Sequence, residues 1–102
     1  MLDKNTGNLL IDYYGTLLTK HQLDILDDYF KEDLSMNEIA ENRGISKAAV
    51  SDIITRSIKQ LEVYENKLNL IKQAIKLDKI VDELNKNNNS VLANKLTKIF
   101  RR

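Results

Sequence analysis

The chain has 102 residues, 42% hydrophobic and 30% charged, with 16 Lys and Arg against 15 Asp and Glu for a net charge of +1. This length suits one domain with one modest core and leaves no room for a separate catalytic domain. With no cysteine, no proline and three glycines, it has neither a disulfide framework nor a thiolate metal site, and little interrupts helices, so an all-α protein is expected.

Leu9, Leu10, Tyr13, Tyr14, Leu17 and Leu18 recur at spacings of three and four. They predict a first helix with one broad apolar face, and Gly15 inside it marks close packing. Thr19 and Gln22 make a capping box for a second helix that buries Leu23, Leu26, Tyr29 and Phe30 and turns Asp24, Asp27 and Asp28 outward.

The stretch from Leu34 to Leu61 carries the strongest pattern. Ser35 caps a helix whose third residue, Glu38, reaches back to the capping amide, and Ser46 starts another helix just after Gly44. Gly44 supplies the left-handed conformation that ends the first of the two, where a Cβ costs about 1 to 2 kcal/mol. Ile39, Ile45, Val50 and Ile53 are expected in the shared core, and Ala40 is small where the second helix crosses closely. The pattern predicts a helix-turn-helix over 35–62, with Ile39, Ala40, Gly44, Ile45, Ser46 and Val50 as its structural residues.

An apolar seam runs on through Val50, Ile54, Leu61, Tyr64, Leu68, Ile71 and Ile75, with Ser57 its one polar member. The N-terminal helices can cover its first half. Residues 64–84 need either a folded-back C-terminal segment or a second subunit, and a homodimer is the expectation. After Ile75 the apolar positions shift to Leu77, Ile80, Val81 and Leu84, which leaves open whether 47–84 is one helix or two. Residues 87–90 read as a turn, and Val91, Leu92, Leu96, Ile99 and Phe100 as a last short helix. The expected organisation is a single all-helical domain over 1–102. Its four-helix part spans 8–64 and a helical extension spans 65–102, without a wing.

Charge is unevenly spread. Residues 1–33 carry three basic and seven acidic side chains, 34–64 four of each, and 65–102 nine basic and four acidic. The basic tail, notably Lys72, Lys76, Lys79, Lys95, Lys98, Arg101 and Arg102, suits an anionic partner or the acidic front of the chain. At 100° per residue, Ala48, Asp52, Thr55 and Lys59 face outward on the second helix of the motif, flanked by Ser51 and Arg56. Lys47, Ser51, Thr55, Arg56 and Lys59 are the candidate nucleic-acid contacts. Asp52 opposes them, since a carboxylate is repelled by phosphates unless it accepts a hydrogen bond from a cytosine amino group.

Catalysis is not expected. His21 opens an acidic helix without a second ligand or nucleophile beside it, and no phosphate loop, metal-ligand spacing or nucleophile elbow occurs. Neither cofactor nor metal is expected. Without a cleavable signal or an apolar run of about 20 residues, the cytoplasm is the expected location.

The segments LLTKHQLDILDDYF and LSMNEIAENRGISKAAVSDIITRSIKQLEVYE together resemble the YlxM-like family of small helix-turn-helix proteins, which are similar to region four of bacterial sigma factors. The leading DYYGTLLT, the DLSMNEIAENRGIS block and LEVYENKL carry the resemblance, which covers nearly the whole chain. It implies a bacterial cytoplasmic protein encoded beside components of the signal recognition particle and regulating that pathway, through contacts with the particle's RNA or its GTPase. A sequence-specific DNA-binding regulator using helix 47–64 is the alternative, and a structural dimerisation protein the second.

Overall fold

A side-chain cap starts each of the first three α-helices of the computed structural model, which describes residues 3–86 together with 94, 95 and 98. Helix α1 (Lys4–Tyr14) begins at Asp3, whose carboxylate accepts the Thr6 amide at 2.8 Å. That bond and the Thr6 hydroxyl hold the Asp3 carboxyl below its usual range. After a 3-10 turn over Gly15–Leu17, α2 (Lys20–Phe30) starts at a complete capping box of Thr19 and Gln22. Helix α3 (Met36–Arg43) starts at a second complete box, Ser35 with Glu38, and ends at Gly44 in the left-handed region, φ 66°. The Ser46 hydroxyl accepts the Ala49 amide at 3.0 Å and opens α4 (Lys47–Leu68). Asn69, at φ 55°, separates α4 from α5 (Leu70–Lys86).

The fold is all-α, and the described residues contain no strand. Of the described residues, those up to Leu68 form one compact unit and those from Asn69 a second. In the first, α4 packs against α1, α2 and α3, and its inner face buries Val50, Ile54, Ser57, Ile58 and Leu61. Tyr14, Ile25, Leu26 and Ile39 meet it as the largest fully buried side chains of the other helices. A fully buried residue of this size contributes about 1.5 to 3 kcal/mol over leaving it exposed, so this cluster holds α4 in place.

Polar contacts fix the helix ends. Lys4 donates to the Tyr29 carbonyl and lies 3.7 Å from the Tyr29 ring centroid, while the Asn8 amide donates to the Phe30 carbonyl at 3.2 Å. Two carbonyls that the last turn of α2 leaves without helical partners are thereby satisfied from α1. From the last turn of α3, Arg43 makes two contacts to Asp28 Oδ2, Nε at 3.0 Å and Nη2 at 2.9 Å, tying α3 to α2. Tyr14 donates to Glu65 at 2.5 Å and Gln22 to Gln60 at 3.3 Å, tying α1 and α2 to α4.

Several expectations need correction. Leu9, Tyr13 and Leu17 are exposed and Ile11 is buried in their place, because α1 touches its neighbours through a narrower stripe than six apolar residues suggest. Gly15 lies after α1 rather than inside it. In α2, Ile25 is fully buried beside Leu26, whereas Leu23 and Tyr29 are half-buried. Asp24, Asp27 and Asp28 are half-buried as well, not turned fully outward. Ile45 and Ile53 are half-buried at the edge of the motif. The seam does not run along one helix: the break at Asn69 makes 47–86 two helices, with Leu68 and Ile75 exposed. The turn at 87–90 and the last helix expected over 91–100 lie largely outside the described residues. Among the described residues no helix is long and apolar enough to cross a membrane.

Asp27 and Ser57 are the notable polar residues in this packing. Burial raises the Asp27 carboxyl above its usual range, against a weaker opposing pull from Lys31. A carboxyl raised on folding binds more protons in the native state, so its contribution favours the fold at low pH and is lost as pH rises through its folded value. Ser57 is fully buried and its hydroxyl has no hydrogen-bond partner. An unmade buried hydrogen bond costs about 1 to 3 kcal/mol. Ser57→Ala is therefore expected to stabilise the protein by about 1 kcal/mol, read as a higher urea midpoint at unchanged slope.

Candidate nucleic-acid interface

The turn between α3 and α4 is two residues long, Ile45 and Ser46, once Gly44 has ended α3. The Gly44 amide reaches back to the Ala40 and Glu41 carbonyls and the Ile45 amide to Ala40 at 3.1 Å, so the end of α3 is closed on itself. Ile39 and Ala40 are buried, and Val50 is fully buried from the first turns of α4. Of the residues expected to hold the motif, Ile39, Ala40 and Val50 are buried, Gly44 and Ser46 stand exposed in the turn, and Ile45 is half-buried.

With that inner face fixed, the outer face of α4 follows from helix geometry. Lys47, Thr55, Arg56 and Lys59 are exposed and Ser51 is half-buried at the edge. Along the axis these five candidates span about three turns, with the short side chains of Ala48 and Ala49 between Lys47 and Ser51. Asp52, also exposed, stands near the centre of this face. It is not isolated: Arg56 Nε donates to its Oδ1 at 3.1 Å, one turn along. The spacing of that pair is visible in the sequence as aspartate followed by arginine at the fourth position, an arrangement that suits ion pairing on a helix.

The basic tail divides. Lys72, Lys76 and Lys79 are exposed on α5, at positions that share one side of that helix. Lys95 and Lys98 are helical and exposed. Arg101 and Arg102 lie outside the described residues. His21 is exposed in the first turn of α2, and no group of three or more His, Asp and Glu able to hold a metal occurs among the described residues.

Comparison with known proteins points to the same two-helix motif. Residues 2–99 match the family model described as "putative helix-turn-helix protein, YlxM / p13 like". The chain belongs to this family, UPF0122. A UPF0122 protein of Clostridium perfringens is 46% identical over 86 residues, covering 80% of this chain and 77% of the relative. The UPF0122 protein of Malacoplasma penetrans is 50% identical over 70 residues, 69% of this chain and 65% of the relative. That of Lactococcus lactis, YofM, is 42% identical over 82 residues, 80% and 74%. The description of the UPF0122 family names the helix-turn-helix, which agrees with the geometry of α3 and α4.

Proposed function

We propose that this UPF0122 protein is a non-enzymatic regulator that binds nucleic acid with the outer face of α4. The observation that carries the reading is the pairing of Asp52 with Arg56 in the middle of that face. The pair holds Arg56 by its Nε at the centre of the face, and with Lys47 and Lys59 exposed on either side the face keeps a net positive charge around Asp52. A helix presented in this way fits the major groove of B-form DNA, about 12 Å wide, and not the deep, narrow major groove of A-form RNA. Three cations are few for such a ligand. A homodimer would present two copies of α4 about 34 Å apart to a palindromic site and double the number of phosphate contacts. Light scattering at micromolar concentration tests that assembly by its mass.

A second reading, favoured by the lysines at 72, 76 and 79 on α5 and by the resemblance to YlxM-like proteins, places the protein in the signal recognition particle pathway. There α5 would contact the particle's RNA, or α4 its GTPase. Titration of the full chain against random duplex DNA, the particle's RNA and its GTPase at two salt concentrations separates the readings. Duplex binding through two phosphate contacts, from Lys47 and Lys59, should fall with salt at a log–log slope of about −1.8. No duplex binding at micromolar protein, with binding to the particle components, would replace the first reading by the second.

A further inference from the structure

We propose that Asp52 and Arg56 form one guanine-reading unit, in which Asp52 is the specificity-determining residue. The proposal rests on the duplex-binding reading above and names what the face selects: a B-form site with a guanine edge in the major groove.

The geometry is that of a held guanidinium. Arg56 Nε donates to Asp52 Oδ1 at 3.1 Å, and the two side chains are 78% and 57% exposed. An exposed pair one helical turn apart contributes little to stability, so its consequence lies in what it does to the surface. Because the carboxylate engages Nε, the terminal amino groups remain to donate outward as a fork. That fork matches guanine O6 and N7, the commonest specific contact in the major groove. Asp52 also limits where Arg56 can go. Duplex DNA carries one phosphate charge per about 1.7 Å of axis, and a carboxylate at the centre of the face repels that array while Arg56 is drawn to it. The pair thus combines an attractive element for one base with a repulsive one against backbone alone, which is how specificity is built.

The neighbours permit close approach. Toward the start of α4 the side chains are Ala48, Ala49 and Ser51, none long enough to stand between this pair and the base edges. Lys47 and Lys59 flank it along the helix and are placed for phosphates on either side of the groove. Asp52 itself can accept from the amino group of a cytosine in a neighbouring base pair.

The test uses the full chain and its Asp52→Asn variant, with circular dichroism to establish that both fold. Each is titrated with a random duplex pool, with the tightest-binding sequence selected from that pool by the wild type, and with the same sequence carrying 7-deazaguanine, which lacks the N7 acceptor. For the wild type, 7-deazaguanine at one position of the selected site should weaken binding about tenfold. In Asp52→Asn that penalty should shrink toward none, and affinity for the random pool should rise about eightfold at 0.1 M salt, the effect of one phosphate contact. If the variant binds the random pool no tighter and keeps the 7-deazaguanine penalty, Asp52 does not set specificity and the proposal is overturned while duplex binding stands. If no 7-deazaguanine position affects the wild type, no guanine N7 is read and the proposal is likewise overturned. If the wild type binds no duplex, the parent reading falls and this one with it.

Discussion

Gly7→Val should cost the fold about 3 kcal/mol and Gly7→Ala about 2 kcal/mol, both read as lower urea midpoints. Gly7 lies in the second turn of α1 and is buried against α2. A Cβ built there falls 2.9 Å from Phe30 Cζ and closer still to Cε1 and Cδ1. The ring cannot simply turn aside. Phe30 is 3% exposed and packs edge-on against Tyr29 with centroids 5.0 Å apart. Both carbonyls of that pair are bonded from α1, by Lys4 and Asn8. The gain of about 1 kcal/mol that alanine brings in helix propensity offsets part of an overpacking cost of about 3 kcal/mol, and valine forgoes most of that gain. Gly44 gives the contrast. No atom lies within 4 Å of the place a Cβ on Gly44 would occupy, so Gly44→Ala is opposed only by its positive φ, at about 1 kcal/mol. If Gly7→Ala costs no more than Gly44→Ala, the close approach of α1 to Phe30 is not what the glycine serves.

That contrast marks what the sequence makes legible. Gly44 is readable because its reason is local: two caps and a glycine at fixed spacing define a turn wherever they occur. The boxes at Thr19 and Ser35 are readable on the same ground, and both are complete. Gly7 has a long-range reason, a ring 23 residues further along the chain, and nothing in its own neighbourhood announces it. Helix faces fall between these cases. Period alone places Leu10 and Tyr14 correctly but assigns Leu9, Tyr13 and Leu17 to the same face, since it cannot say how wide a stripe the neighbours cover. Ile25 escapes the periodic reading because α2 is gripped by α1, α3 and α4, which buries a broader arc than one amphipathic stripe. The break at Asn69 carries a weak signal: the apolar phase shifts beyond it, and asparagine enters the left-handed region more readily than most residues. On the candidate interface, exposure of Lys47, Thr55, Arg56 and Lys59 follows from helix geometry, whereas Asp52 misleads when read singly. Its partner, four residues on, changes an objection to phosphate binding into a restraint on Arg56.

Replacing Lys47, Arg56 and Lys59 together by alanine should lower affinity for random duplex DNA about 60-fold at 0.1 M salt, roughly 2.4 kcal/mol. The figure follows from two phosphate contacts, those of Lys47 and Lys59, at a slope of about 0.9 each, taken from a 1 M reference. The slope itself should fall from about −1.8 toward zero, a measurement that does not depend on absolute affinity. Stability should change little, because all three side chains are exposed and alanine is the best helix former. Loss of binding would then report on the surface and not on the fold. The matching control is alanine at Lys72, Lys76 and Lys79 on α5. If duplex binding follows α4, the α5 variant keeps its DNA affinity. If the α4 variant still binds and the α5 variant does not, the anionic partner is held by the basic helix, and the helix-turn-helix serves as a scaffold for a protein contact.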